Sequence, residues 1–236
     1  MPMFRFKQFS VDQSGCAMKI NTDGVLLGAL ADADHPQTIL DIGTGTGVIA
    51  LMLAQRFQAA KIDAIEIDQS AAETAGRNFQ DSPFADRLTV YPSGFAEFFE
   101  QNTDKKYDLI VSNPPFYINS LKSPEAKREL AKHADRDFFT GLISYTSKHL
   151  SDKGAICLIL PLDTVAWVKD IAFKNGLFVK KVISVVSFND SEPHREIVVL
   201  WSESDKATDD RFVIYESPKI YTEQYRETLK DFFTIF

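Results

Sequence analysis

Asn113-Pro114-Pro115-Phe116 directly follows an apolar, β-branched run, Tyr107-Asp108-Leu109-Ile110-Val111-Ser112. Such a tetrapeptide suits the handling of a planar NH2 group. The Asn113 side-chain oxygen and the Pro114 carbonyl can accept the two amino hydrogens, which favours a pyramidal nitrogen and aims its lone pair outward. Proline restricts φ and carries no NH, so the carbonyl stays turned toward a ligand. Phe116 adds an aromatic face on which a base can stack. The implied chemistry is attack by a conjugated, weakly nucleophilic nitrogen. Positioning and electrostatics supply most of the acceleration there, and no general base of shifted pKa is required. The motif specifies the amino group and not its carrier: adenine N6, guanine N2 and a glutamine amide all fit.

Upstream, Ile39-Leu40-Asp41-Ile42 runs into Gly43-Thr44-Gly45-Thr46-Gly47. Glycines at this spacing let the backbone turn tightly and a ligand come close. A dinucleotide would use a similar loop, but its fingerprint is G-x-G-x-x-G, and here the third glycine arrives one residue early. Glu66 ends the next strand-like run, roughly 20 residues further on, where an acid accepts both ribose hydroxyls of a nucleoside. Asp68 beside it suits the same cofactor or the cap of the following helix. Earlier, Lys19-Ile20-Asn21-Thr22-Asp23-Gly24 can start a helix with Thr22 or Asp23 as N-cap. The free NH groups of that helix end would suit a carboxylate, and a plain capped core helix reads the same way.

The elements that must position these residues follow an alternating pattern. Strands are expected at Ile39–Ile42, Lys61–Ile67, Leu88–Tyr91, Tyr107–Ser112 and Gly154–Pro161. Helices are expected from Thr46 to about Phe57, over Ser70–Phe79 with Ser70 as N-cap, over Phe95–Gln101, toward His149, and over Thr164–Asn175 with Gly176 closing it. Alternation of this kind implies a parallel sheet with helices on both faces. Leu177–Phe188 and Glu196–Trp201 read as a hairpin that adds an antiparallel edge. The tail after Ser202 is polar until a final helical pattern with Tyr225, Leu229, Phe232 and Phe233. No internal repeat or linker breaks the chain, so residues 1–236 read as one domain, with 1–37 an extension that reaches the cofactor site.

The 236 residues allow a substantial core, and the 44% apolar share is ordinary for a globular protein. Cys16 and Cys157 stand far apart, and His35, His133, His149 and His194 show no ligand spacing, so no metal is expected. No signal peptide or membrane span is apparent, which points to the cytoplasm. A net charge of −7 argues against a general nucleic-acid binder. Yet Lys122, Lys127, Arg128, Lys132, His133 and Arg136 crowd the segment after the Asn-Pro-Pro-Phe motif, against Glu125, Glu129 and Asp135. A phosphate backbone could lie there, although a solvated helix with Glu/Lys pairs has the same composition.

The glycine loop with Asp41 ahead of it and the downstream Asn-Pro-Pro-Phe resemble the class I methyltransferases that use S-adenosylmethionine. The resemblance extends in order to Phe6-Lys7-Gln8-Phe9, Lys19 through Gly24, Pro193-His194-Arg195 and the stretch from Tyr221-Thr222 to Phe233. Over nearly the whole chain it is similar to the bacterial tRNA adenine-N6 methyltransferases that modify the adenine just after the anticodon of a valine tRNA. That resemblance implies a Rossmann-like α/β fold with a seven-stranded mixed sheet, tRNA as partner and a favoured monomer. It implies a cofactor site of Lys19, Thr22, Asp41, Gly43, Thr44, Gly45, Gly47, Glu66, Asp68 and Asn113, with Asp41 near the amino-acid end of the cofactor. Asn113, Pro114, Pro115 and Phe116 would react, and Phe116, Lys122, Lys127, Arg128, Lys132, Arg136 and Arg195 would meet RNA. Arg195 could equally serve a turn. One departure stands out: many such enzymes place an acid after the third strand to hold the adenine amino group, and here Ser93 or Gly94 takes that place, with Phe95 left to pack on the base. Other readings are a protein-glutamine or guanine-N2 methyltransferase, a cofactor-binding scaffold without catalysis and, last, a dehydrogenase.

Overall fold

A computed structural model describes residues 3–114 and 125–236, with side chains for all of these except 125–133. A short antiparallel pair, β1 (Phe4–Arg5) and β2 (Ser10–Val11), precedes α1 (Thr22–Leu30). Then come β3 (Thr38–Ile42), α2 (Val48–Arg56), β4 (Lys61–Glu66), α3 (Gln69–Gln80), β5 (Leu88–Pro92), α4 (Phe95–Gln101) and β6 (Tyr107–Ser112). The second half holds α5 (Glu125–Lys148), β7 (Leu150–Leu160), α6 (Leu162–Lys174), β8 (Phe178–Val186), β9 (Arg195–Trp201) and β10 (Thr208–Val213). A small hairpin of β11 (Tyr215–Ser217) and β12 (Ile220–Tyr221) leads into α7 (Glu223–Leu229).

The main sheet has the order β10-β8-β9-β7-β6-β3-β4-β5. All of its strands run the same way except β9, which is antiparallel to both β7 and β8. The expected strands are all present, but the sheet has eight of them rather than seven. The extra strand is β10, which lies in the tail that read as merely polar. Residues Thr208, Asp209, Asp210 and Arg211 are exposed, so this edge strand has no apolar alternation to betray it. Its charges, including the Lys181–Asp210 ion pair at 2.6 Å, also guard the edge against foreign strands. The antiparallel strand is accordingly interior, between β7 and β8, and the outer edge is parallel.

Alternate residues of each strand feed opposite faces, as the period of two requires. Ile39, Leu109, Val111, Cys157, Ile159, Ile197 and Val199 join α1, α2, α3 and α7 in one buried cluster. Leu40, Ile110, Ile156, Leu158, Val198 and Leu200 join α4, α5 and α6 in the other. The cap of α1 differs from expectation, and α3 takes the second of its two candidate caps. Asn21, not Thr22 or Asp23, caps α1 by accepting from the Gly24 amide at 2.9 Å. Asp68, not Ser70, caps α3 by accepting from the Ala71 amide at 2.8 Å. Gly176, at φ 74°, follows α6 as expected.

Strand order reverses between β3 and β6: β4 lies on one side of β3 and β6 on the other. Ligands of open α/β sheets sit at the carboxyl ends of the strands flanking such a point. Ile42 pairs with Ser112 there, and the Ser112 hydroxyl donates to the Ile42 carbonyl at 2.8 Å. Gly43 and Asn113, the next residue on each strand, therefore leave the sheet side by side.

Candidate active site

The glycine loop is braced from below and open above. Asp41 is fully buried, and its Oδ2 accepts from the Thr44 hydroxyl at 2.6 Å and the Ala50 amide at 3.2 Å. One carboxylate thus fastens the loop to the start of α2. Burial pushes the Asp41 carboxyl up to about 7, against the lowering effect of those two donors. The Gly43 and Thr44 amides donate to the Ile65 carbonyl at 2.8 and 3.0 Å, tying the loop to β4.

Gly43 and Gly45 have φ of 72° and 56°, and a Cβ on either would meet nothing within 4 Å. Gly47, at φ 83°, is confined instead: a Cβ there would stand 2.5 Å from Phe79 Cε1. The first two glycines leave room for a ligand, and the third lets α3 pack against the loop. Glu66 closes the other side. Its Oε2 accepts from the Gly45 amide and its Oε1 from the Asp68 amide, each at 2.9 Å. Each oxygen keeps a lone pair for a further donor, as a ribose diol requires.

The N-terminal segment packs onto this loop. The Asp12 amide donates to Asn78 Oδ1 at 2.8 Å, and Asn78 Nδ2 donates to the Thr46 carbonyl at 2.8 Å. The Thr74 hydroxyl donates to the Ser14 carbonyl at 2.6 Å. Lys19 and Thr22 are exposed, Lys19 on the approach to α1 and Thr22 as its first residue. A Cβ on Gly24 would lie 3.7 Å from Asn113 Nδ2, so the first turn of α1 stands over the Asn113 side chain.

Pro114 is buried beside half-buried Asn113. Pro115, Phe116 and Lys122 lie outside the described residues, as do the side chains of Lys127, Arg128 and Lys132 on α5. Arg136 is exposed on α5, with its guanidinium 5.4 Å from the Trp167 ring. Arg195 is in an ion pair: its Nε donates to Asp23 Oδ2 at 2.8 Å. Phe95 is occupied by α5, edge-on to Phe138 at 5.5 Å and to Tyr145 at 6.0 Å.

Two residues near the departure at Ser93 escaped the sequence reading. The Ser93 hydroxyl donates to Glu97 Oε2 at 3.1 Å, so an acid one helical turn later reaches this loop. Ile67, next to Glu66, is 80% exposed and lies 3.5 Å from where a Gly94 Cβ would be. It forms an apolar ledge beside the carboxylate. An apolar residue at a strand end carries no local sign that it is left bare, so only the fold exposes it.

A doubly wound sheet with an open glycine loop, a carboxylate with free lone pairs on the neighbouring strand and Asn-Pro at the reversal point defines a class I methyltransferase. Enzymes of this class take their methyl group from S-adenosylmethionine. The open space above Gly43 and Gly45 and the free lone pairs of Glu66 fit its nucleoside half. Comparison with known proteins agrees. The methyltransferase small domain model matches residues 17–160. A tRNA1(Val) (adenine(37)-N6)-methyltransferase of Pedobacter heparinus is 47% identical, covering 99% of this chain and 98% of the relative. One from Christiangramia forsetii is 44% identical, covering 98% and 97%. Among solved structures, a predicted O-methyltransferase of Agrobacterium tumefaciens shares the fold at a TM-score of 0.69 and 18% identity, covering 89% of this chain and 96% of that one. The chain belongs to the methyltransferase small domain family and, within it, to the tRNA1(Val) (adenine(37)-N6)-methyltransferases.

Proposed function

We propose that the protein methylates N6 of an adenine in tRNA, namely the adenine 3′ to the anticodon of a valine tRNA. The observation that carries this reading is the pairing of Ile42 with Ser112, which puts the Asn113 amide beside the cofactor loop at Gly43. S-adenosylmethionine supplies an electrophilic methyl group on a sulfonium.

The chain's own residues do the rest. Glu66 holds the ribose hydroxyls, while the Gly43 and Gly45 backbone lets the nucleoside approach. Asp41 acts through Thr44 and Ala50 to keep that loop in shape, near the amino-acid end of the cofactor. Ile67 provides an apolar face for the cofactor's base, with Glu97 reached through Ser93 at the base's polar edge. Lys19, Thr22 and the first turn of α1 receive the amino-acid end, a role supported by the exposure of Lys19 and Thr22 at the start of that helix. Asp68 contributes as the cap of α3 and through the hydrogen bond its backbone amide donates to Glu66 Oε1.

Asn113 Oδ1 and the Pro114 carbonyl accept the hydrogens of the acceptor's amino group, and Phe116 stacks on its base. Lys122, Lys127, Arg128, Lys132 and Arg136 supply phosphate contacts that offset the acidic total locally. The protein acts in the cytoplasm. In support, the relatives it matches are named for a tRNA substrate.

The test is a panel of acceptors with labelled S-adenosylmethionine: unmodified valine tRNA, other tRNAs, ribosomal RNA and a peptide-release factor. Label recovered as N6-methyladenosine from the valine tRNA is the expected result. Label in a guanine or in a glutamine side chain would replace the reading.

A further inference from the structure

We propose that Arg195 and Asp23 are positioning residues for Asn113. They act as one ion pair that holds the first turn of α1 against the Asn113 side chain. The two residues are 172 positions apart, and Arg195 Nε donates to Asp23 Oδ2 at 2.8 Å. Their side chains keep only 26% and 19% of their exposure, so little water screens the pair. Arg195 Nη1 also donates to the His194 carbonyl at 2.8 Å, which fixes the guanidinium plane relative to the start of β9. The planar fork makes this a directional anchor that an ammonium group would reproduce only in part.

Asp23 is the second residue of α1, and Gly24 follows it. Gly24 is the residue whose Cβ would stand 3.7 Å from Asn113 Nδ2 and 3.5 Å from the Asn21 cap oxygen. The first turn of α1 thus faces the Asn113 amide across a gap that one methyl group would fill, and a shift of this turn changes the space open to that side chain. The far end of α1 is fastened independently. Arg56 Nη1 donates to the Gly28 carbonyl at 3.0 Å, and a Cβ on Gly28 would lie 2.9 Å from the Met52 sulfur, so the middle of α1 is in close contact with α2. Loss of the ion pair thus releases the turn facing Asn113 while the rest of the helix stays docked. Arg195 reads from sequence as a candidate phosphate contact; its geometry directs it to Asp23, beside the turn that faces Asn113.

The inference rests on Asn113 being the amino-group acceptor proposed above, so the experiment has one arm that needs no substrate. Arg195→Ala, Arg195→Lys, Asp23→Asn and the double variant Asp23→Asn/Arg195→Ala are compared with wild type. In the first arm the side-chain amide signals of Asn113, assigned by their loss in Asn113→Ala, are followed by NMR. They move or broaden in Arg195→Ala and Asp23→Asn; unchanged signals overturn the proposal even if no tRNA is ever methylated.

In the second arm, single-turnover methyl transfer at saturating valine tRNA falls about 10- to 100-fold in each single variant, the scale of a small misplacement of a reacting group. Arg195→Lys recovers part of that loss, and the double variant is no slower than the slower single one. The slope of tRNA affinity against salt stays at its wild-type value. A phosphate contact would instead reduce that slope by about one and leave the single-turnover rate intact, and that result overturns the proposal. A purely structural pair would lower the melting temperature and spare the rate of the folded variants, with the same consequence. Should Arg195→Ala not fold, Arg195→Lys and Asp23→Asn carry both arms.

Discussion

Glu66 Oε2 accepts a hydrogen bond from the Gly45 amide at 2.9 Å, so the acid that ends β4 also sets the shape of the loop that follows β3. Ligand binding and loop geometry therefore share one side chain. Glu66→Ala removes the acceptor for the ribose and releases the Gly45 and Asp68 amides together. Charge-assisted hydrogen bonds contribute about 1.5–3 kcal/mol each, so S-adenosylhomocysteine affinity should fall at least about 10-fold by calorimetry. Affinity within twofold of wild type would remove Glu66 from the site.

The three loop glycines have different jobs and should fail differently. Gly47→Ala forces a left-handed residue and a Cβ into Phe79, a combined cost of about 2–4 kcal/mol. Its melting temperature should drop by roughly 5–15 °C in a protein of this size. Gly43→Ala has strain but open space, so it should cost about 1 kcal/mol in stability while crowding the bound nucleoside. Thermal melts with and without S-adenosylhomocysteine separate the two: Gly43→Ala loses the ligand-induced rise in melting temperature, and Gly47→Ala keeps part of it.

Asp41 gives a pH dependence of defined sign. Its folded carboxyl is pushed up to about 7 by burial, well above the ordinary aspartate value of about 3.9. Between those values the folded state holds the proton more tightly, so stability falls as pH rises from about 4 through about 7. The penalty is of order 2–4 kcal/mol and is fully present above pH 7. Asp41→Asn should flatten that part of the profile, so that wild type minus variant stability declines between pH 5 and 8 in urea melts. A difference that is level with pH, or rises, would show that Asp41 is ionised in the fold.

The alternating strands and the helices between them were legible because apolar periodicity and Gly/Pro punctuation are local signals, whereas the strand order that reverses at β3 and β6 comes from the fold alone. Beyond local reach, legibility failed for physical reasons. The β10 strand is held by backbone pairing to β8 at a solvated edge, so Thr208-Asp209-Asp210-Arg211 carries no buried stripe. The cap of α1 falls one or two residues before the expected ones, since Asn21, Thr22 and Asp23 are all competent caps and only the geometry chooses, as it does between Asp68 and Ser70 for α3. Asp41, Glu66, the glycines and Asn113 stand out in the sequence because their spacing is itself the signal, and the fold brings them to neighbouring strand ends. Ile67, Glu97 and the partnership of Arg195 with Asp23 depend on approaches that the fold creates across distant segments.

The most direct test of the central claim is methyl transfer from labelled S-adenosylmethionine to unmodified valine tRNA, with nucleoside analysis, for wild type and Asn113→Ala together. Wild type should yield N6-methyladenosine, and Asn113→Ala should transfer about 10²- to 10³-fold more slowly, the scale of one lost hydrogen-bonding partner at the reacting centre, while still binding S-adenosylhomocysteine. Transfer by Asn113→Ala at the wild-type rate, or a labelled product other than N6-methyladenosine, would contradict the account.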